Sequence, residues 1–400
     1  MNGMRERISR ACGGPLSAAL AIVALLALGR VVVTSAQAQT FTVLYNFGSL
    51  PDAENSYADL VRDPSGNLYG TTANGGSSSL GTVFKLGPNG TETVLHSFLG
   101  GSTDGQTPYG GLVRDKSGNL YGMTYQGGPL NLGTIFKVDT GGNETVLHNF
   151  AGGAKDGALP VGGLTLDRAG NLYGAIQTGG LNDLGVIVEF SKTGLFKVLH
   201  SFAGGASDGE YPYYTTLRMD AKGDIYGVTF EGGANGLGVV YELTKDGIQI
   251  VLYSFAGGTT DGCYPVGAPV GDAQGNLYGT TNACGPNPKG AGTVWKLNKK
   301  GKEKVLHFFA GGLSDGTTPY SGVVLDEKGN LYGDTLDGGA DDFGVAYKLT
   351  KAGSMTLLHS FVAGDGEFTG AALLRDAKGR LYGTAESGGT NYGTVWELTP

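Results

Sequence analysis

Seven times the chain writes Asp-x-x-Gly-x-(Leu/Ile)-Tyr-Gly, with its tyrosines at Tyr69, Tyr121, Tyr173, Tyr226, Tyr278, Tyr332 and Tyr382. The intervals between them are 52, 52, 53, 52, 54 and 50 residues. A fixed period near fifty means one supersecondary unit copied in tandem, which cannot bury its apolar face alone. A residue type that recurs in every copy is therefore read first as architecture. A site is sought where the copies depart from one another.

A chain of 400 residues would ordinarily suggest two or three domains, but the unbroken repeat argues for one, over residues 39–400. The 74 glycines follow no period of three, so collagen is excluded, and 10% aromatic residues are too many for disorder. Glycine with Tyr, Phe, Val and Thr is the composition of short strands joined by tight turns.

The first forty residues differ. Arg5, Arg7 and Arg10 precede an apolar run through Leu20, Ile22, Leu25, Leu26 and Leu28, and Ala36-Gln37-Ala38 follows as a small-x-small cleavage signal. Residues 1–38 are expected to be a secretory signal peptide. An uncleaved anchor is the competing reading, disfavoured because the run is short for a span and Arg30 interrupts its end. Cys12 precedes the run and is not placed as a lipoprotein cysteine. Cleavage would remove four arginines and one glutamate, taking the formal net charge from −8 to −11. So acidic a protein is a poor nucleic-acid binder, because neutralising phosphates needs a basic face. No later segment is long and apolar enough to span a membrane, and with the last repeat reaching Pro400 no C-terminal anchoring tail is expected. The expected compartment is extracellular or periplasmic, and a monomer is expected.

Each copy carries four strand signals, A to D. In copy two they are residues 112–114, 119–124, 133–138 and 145–150. Asp115 at the first turn position and Gly118 at the fourth, between A and B, is type I turn chemistry. Four-stranded units of this length predict an all-β, seven-bladed β-propeller. A parallel β-solenoid is the alternative, but its coils are usually shorter. Glycines in strands A and B are expected where backbones approach closely near a crowded axis. The A–B–C set occurs seven times and ends at Leu398 without a strand D, whereas a D-like strand, residues 41–47, stands alone after the leader. That strand is predicted to complete the last blade and close the ring, leaving no open edge.

The Gly-Asn-Leu-Tyr-Gly runs, the Gly-Thr-Val-Phe/Trp-Lys-Leu strands and Val-Leu-His-Ser-Phe at 94–98 and 198–202 resemble the GloVer (Gloeo/Verruco) extracellular tandem-repeat family, over residues 41 to 400. The resemblance implies an exported repeat protein and transfers no catalytic residue. Members often carry a C-terminal surface anchor; none is expected for this chain, so surface attachment is not part of the expectation. The A–B hairpin is also similar to that of streptogramin-lyase and gluconolactonase-type propellers, mostly through turn chemistry.

Several constellations can be weighed. All five histidines, His96, His148, His200, His307 and His359, share one column, with Tyr45 and Tyr253 in the other two places. Period-two alternation puts His96 on one face with Val94 and Phe98 of the outermost strand. A histidine hydrogen-bonded to a neighbouring loop is favoured over a metal or catalytic role. The loops from D to A repeat Gly-Gly-x-x-Asp-Gly and set Asp104, Asp156, Asp208, Asp261 and Asp315 in a ring, with Asp365 and Asp52 in variant copies. Clustered carboxylates suit Ca²⁺, but Asp-Gly is a turn dipeptide whose side chain bonds its own loop. No cofactor is expected, with Ca²⁺ at these loop carboxylates as the alternative.

Beside that ring lie Tyr57, Tyr109, Tyr213, Tyr320 and Phe368, with Val161 and Val266 in the same column, an aromatic rim suited to stacking on sugar rings or peptide side chains. Copy four departs most: Glu210, Tyr211, Tyr213, Thr216 and Arg218 replace the simpler Gly-Gly-Leu pattern. The expected ligand contacts are Glu210, Tyr211, Tyr213, Arg218, Tyr109 and Tyr320. Cys263 and Cys284 flank the copy-five hairpin at matching ends and are expected to form a disulfide. A two-cysteine metal site is disfavoured, since every histidine lies on another strand.

No Gly-x-Ser-x-Gly elbow and no phosphate loop entering a helix occurs. The expected function is a secreted, non-catalytic propeller binding a glycan, a peptide or a cell-surface protein through the face carrying its D–A and B–C loops. The alternative is an extracellular lyase or hydrolase of a polysaccharide or lactone, with channel-mouth residues as acid and base. Convergence of Glu210, Tyr213 and Arg218 with a loop aspartate in one deep pocket would favour the enzyme; a shallow symmetric ring would favour the binder.

Overall fold

A computed structural model describes residues 39–48, 52–287 and 290–400; the expected leader 1–38, with Cys12, lies outside the described residues. Each repeat is organised from its turn outward. In copy two, Asp115 Oδ1 accepts the N–H groups of Ser117 and Asn119, both at 2.9 Å. Its Oδ2 accepts from Asn119 Nδ2 at 2.7 Å and from the Tyr121 hydroxyl at 3.1 Å. Burial alone would raise this carboxyl. The hydrogen bonds outweigh it and hold the pKa below the ordinary carboxylate value. The recurrent Asp, Asn and Tyr are thus one unit that satisfies the turn and fixes the A–B register, Tyr121 opposite Val113.

Seven four-stranded antiparallel sheets result, each in the order A-B-C-D. Blade two comprises Val113–Arg114, Leu120–Thr124, Thr134–Val138 and Glu144–Asn149, within a residue or so of the sequence expectation. Thr40–Asn46 pairs with Thr394–Thr399 and supplies strand D of the last blade, as the incomplete ends predicted. The fold is a seven-bladed β-propeller closed by its first strand. No helix among the described residues is long and apolar enough to cross a membrane.

The core lies between blades. One cluster joins Val83 and Phe98 of blade one to Leu112, Leu120, Phe136 and Val138 of blade two, all buried. Strands B and C interlock by a glycine-to-aromatic pair. Gly70 faces Phe84, Gly279 faces Trp295 and Gly383 faces Trp396 across the ladder. A Cβ at Gly279 would lie 2.5 Å from the Trp295 ring. The strand B glycine therefore accommodates a cross-strand aromatic, rather than the crowded axis to which the sequence reading assigned it. The strand A glycines do serve the axis: a Cβ at Gly110 would lie 2.1 Å from the carbonyl oxygen of Gly162 in the next blade.

Replacing Gly279 with alanine must displace a fully buried indole, so Gly279→Ala is expected to cost about 1–3 kcal/mol in urea unfolding. Gly174 faces Val188 instead, and a Cβ there meets nothing nearer than Leu164 at 3.2 Å. Gly174→Ala is expected to be distinctly milder in the same measurement.

Candidate functional site

The D–A and B–C loops meet on one face because they pair with each other. Gly105–Gln106 bonds to Gln126–Gly127, and Gly209–Glu210 to Glu231–Gly232, as two-residue ribbons. In blade five the ribbon merges with the main hairpin, giving Gly262–Gly271 and Leu277–Cys284. Cys263 and Cys284 are disulfide-bonded across that extension, as expected from their positions. These ribbons were too short to signal themselves in the sequence.

At the centre of this face, all seven blades contribute to a narrow funnel of about 380 Å³ open to solvent. Tyr57, Tyr109, Tyr214 and Tyr320 line it. Their rings touch in series, at centroid separations of 5.5 Å for Tyr57–Tyr109, 6.4 Å for Tyr109–Tyr214 and 5.1 Å for Tyr214–Tyr320. All four are half-buried. Burial first, then the neighbouring acid or phenols, pushes every one of these hydroxyls above the ordinary tyrosine value, so they are neutral donors. The sequence alignment had placed Tyr213 and Phe368 in this rim. Copy four carries one extra residue, so Tyr214 takes the lining place and Tyr213 stands behind it, 4.5 Å ring to ring. In blade seven the lining residue is Gly370, and Phe368 lies outside the funnel lining.

Below the tyrosines the strand A backbones close the channel, with Asp59 and Thr216 where other copies carry Gly111, Gly163, Ala268, Gly322 and Ala372. Asp59 is the one carboxylate among the described residues lining the funnel, and it also lines the apolar cavity beneath. Its Oδ1 accepts the Ala372 N–H at 2.7 Å, a tie between the first and last blades. Burial raises its pKa to about 6 despite that bond. A second acid, Asp334, stands in strand B where blades one, five and seven place Thr71, Thr280 and Thr384. Those threonines donate to carbonyls of the next blade, Thr280 to Ser321 at 2.6 Å for example. Asp334 instead accepts the Ser321 hydroxyl at 2.8 Å and is 1% exposed. Desolvation pushes its carboxyl well above the ordinary range, which favours the neutral form. Both acids interrupt a column, the signal that would have found them.

The histidine and aspartate columns are one device. His96 Nε2 lies 3.3 Å from Asp104, His200 3.0 Å from Asp208 and His359 2.8 Å from Asp365. The tyrosine copies do the same, Tyr45 to Asp52 at 2.9 Å and Tyr253 to Asp261 at 2.8 Å. Each aspartate also accepts backbone N–H groups of its loop. Asp208 takes those of Ala203 at 2.9 Å and Gly209 at 2.7 Å. The carboxylates turn outward to strand D and do not converge on the funnel. A register shift in strand D, between the partners of Val83 and Phe84, interrupts the alternation from which a common face for Val94, His96 and Phe98 was expected.

Of the expected ligand residues, Tyr109 and Tyr320 line the funnel. Glu210 sits in its ribbon and accepts the Gly205 N–H at 3.2 Å. Tyr211 occupies the left-handed region at φ 51° and bonds its backbone to Leu184 and Phe230. Arg218 lies at the opposite end of strand A, its guanidinium 5.4 Å from the Tyr226 ring centroid. There it lines the lower mouth of the channel beside Val270 and Arg375. Glu210, Tyr213 and Arg218 do not form one pocket, because a strand's length separates them.

A family model described as the Gloeobacter/Verrucomicrobia repeat matches residues 27–174 and 165–396. A search of curated proteins finds no significant match. Among solved structures, the chain is similar to two extracellular domains from B. thetaiotaomicron. One is of a hybrid two-component system, at 16% identity and TM-score 0.54, covering 90% of this chain and 41% of that one. The other is of a one-component system, at 10% identity and TM-score 0.56, covering 89% and 39%. The chain thus spans about two-fifths of either, and the likeness is one of fold. A gluconolactonase from Xanthomonas campestris aligns at 12% identity and TM-score 0.43, covering 90% and 89%.

Two outcomes are expected of the clamps. Asp208→Ala orphans two loop N–H groups and should cost about 2–4 kcal/mol in chemical denaturation, whereas His200→Tyr, which copies the Tyr253 arrangement, should stay within about 1 kcal/mol of wild type. Glu92 and Glu303 lie over the two tyrosine clamps. Burial, then the Asp52 and Asp261 charges, raises them from 4.5 to about 7. Between those values the folded state holds protons that the unfolded chain has released, so stability falls as pH rises through this window. The thermal midpoint should drop from pH 5 to pH 8 more in wild type than in the Glu92→Gln/Glu303→Gln double variant.

Proposed function

The chain belongs to the Gloeobacter/Verrucomicrobia repeat family, and from that premise we propose that it is an exported, non-catalytic propeller that binds a glycan, a peptide or a cell-surface protein at its tyrosine-lined mouth. The observation that carries this reading is the division of labour among the polar columns. The recurrent Asp, His, Asn and Tyr residues are paired inside their own blades. The tyrosines at the mouth come from four blades and present half-buried rings and hydroxyls to a funnel open to solvent. Aromatic faces with a polar tip suit sugar rings and apolar or planar side chains. The funnel is narrow and its floor is closed by strand A backbones. A projecting group of a larger partner fits it better than an enclosed small substrate does.

Export rests on residues 1–38, whose charged start, apolar run and Ala-Gln-Ala end have the pattern of a cleaved leader. The lyase or hydrolase alternative needs two reachable carboxylates. Of the two acids set into the channel wall, Asp334 is sealed and Asp59 lines the funnel, while Glu386 at the mouth is engaged by the Tyr57 hydroxyl.

Glycan and peptide arrays probed with the mature protein, with and without Ca²⁺, test the reading. A hit is expected to weaken at least tenfold in Tyr109→Ala/Tyr320→Ala and to be unchanged in Arg218→Ala, which alters the opposite mouth. Binding that survives the tyrosine double variant, or turnover of a polysaccharide by wild type, would overturn it.

A further inference from the structure

At five of the seven clamps between strand D and the following loop, a residue at the start of strand D in the next blade lies over the pair. The cover varies. Phe196 stacks on His148 at 3.9 Å and Phe41 on His359 at 3.7 Å, with rings within 3° of parallel. Glu92 and Glu303 cover tyrosine clamps, so no imidazole is present there. Only between blades one and two, among the described residues, does a carboxylate cover a histidine clamp. There Glu144 joins His96 and Asp104, and one donor atom from each lies within 4.8 Å of the others.

The geometry points to a binding site for a divalent transition-metal ion, Zn²⁺ by ligand type, formed by His96, Asp104 and Glu144 across the interface of blades one and two. One imidazole nitrogen and two carboxylate oxygens are a zinc donor set that leaves a fourth position for water. Tetrahedral arms of about 2.1 Å put donors roughly 3.4 Å apart, so an ion would draw together donor atoms that stand within 4.8 Å of one another. The Glu144 Oε1 is buried without a hydrogen-bond partner, as are the Oε1 atoms of Glu92 and Glu303 over the tyrosine clamps, but only Glu144 has an imidazole beside it to complete a donor set. A buried acceptor left unpaired is costly, and a cation would satisfy it. Burial, followed by the Asp104 charge, also raises this carboxyl to about 7, opposed by His96. A dication would offset both effects. The three ligands come from strand D of blade one, its outgoing loop and strand D of blade two, so the ion would tie adjacent blades together. The imidazole is 18% exposed, which gives solvent access to the fourth position.

The repeat supplies its own conservative variants. His96→Tyr copies the clamp of Tyr253, Glu144→Gln copies Gln249 at the equivalent place, and His148→Tyr makes the same change at a clamp covered by phenylalanine. Chelator-stripped protein titrated with ZnCl₂, by calorimetry and by thermal shift, is expected to bind one equivalent with a rise in melting temperature. His96→Tyr and Glu144→Gln should each weaken that binding at least tenfold, and His148→Tyr should leave it unchanged. The inference is overturned by the absence of saturable one-equivalent binding in wild type. It is equally overturned if Glu144→Gln binds as wild type does, or if His148→Tyr loses as much as His96→Tyr. Glu144→Gln keeps the test decisive should the histidine variant fold poorly. The titration is independent of any glycan or peptide ligand, so its failure and that of the binding reading are separable.

Discussion

Seven sheets radiating from one axis are crowded at the centre and splayed at the rim, and the columns of the repeat follow from that taper. At the axis some backbones meet too closely for a Cβ: one added at Gly110 would lie 2.1 Å from the carbonyl oxygen of Gly162. Midway out, neighbouring sheets separate enough to need filling, and strand C supplies Phe84, Phe136, Tyr241, Trp295, Tyr347 and Trp396, each fully buried. Strand B yields space to these rings with its glycine. At the rim the sheets diverge and side chains alone no longer close the gap. There the loop aspartate is anchored to strand D by His or Tyr and covered by the next blade. Small, large and polar residues thus succeed one another along a radius for steric reasons.

This logic explains what the sequence disclosed. Turn residues act locally, so Asp115, Gly118 and Asn119 announced the A–B hairpin, and strand lengths followed from the spacing between turns. Ring closure was legible because an unpaired strand at one end and a missing one at the other have one joint solution. Cys263 and Cys284 were legible because a hairpin places symmetric positions opposite each other. The relation of His96 to Asp104 was harder. The two residues lie on different elements, each had a sufficient local explanation, and a register shift in strand D disturbs the alternation by which a side chain's direction is read. At the mouth, one inserted residue in copy four exchanged Tyr213 for Tyr214. Arg218 was misgrouped with Glu210 because sequence proximity ignores the rise of about 3.3 Å per residue that carries strand A down the channel.

The same logic separates positions that can vary from those that cannot. Gly110 has no freedom where a neighbouring backbone lies in contact, whereas the next column, glycine at Gly111, Gly163 and Gly322, admits Ala268 and Ala372 and, in copies one and four, Asp59 and Thr216. The last two place oxygen atoms at the waist of the channel directly beneath the tyrosines. The strand B threonine is exchanged for Asp334, which keeps a hydrogen bond to Ser321 by accepting its hydroxyl. Architecture sets the size and charge a column tolerates, and chemistry enters within that tolerance.

The mouth and the rim illustrate two degrees of freedom. At the mouth the requirement is to narrow the channel, which Tyr, Val or Gly meets, so the identity of the ring-bearing copies is free to answer to a ligand. At the rim the requirement is to cover a clamp, and Phe and Glu both do so. A flat phenylalanine on an imidazole seals it. A glutamate leaves a buried oxygen facing a histidine and an aspartate, an arrangement that a purely structural cover does not need. Three copies take glutamate, Glu92, Glu144 and Glu303, but only Glu144 meets a histidine, and that difference in the partner, rather than the glutamate itself, marks the junction of blades one and two.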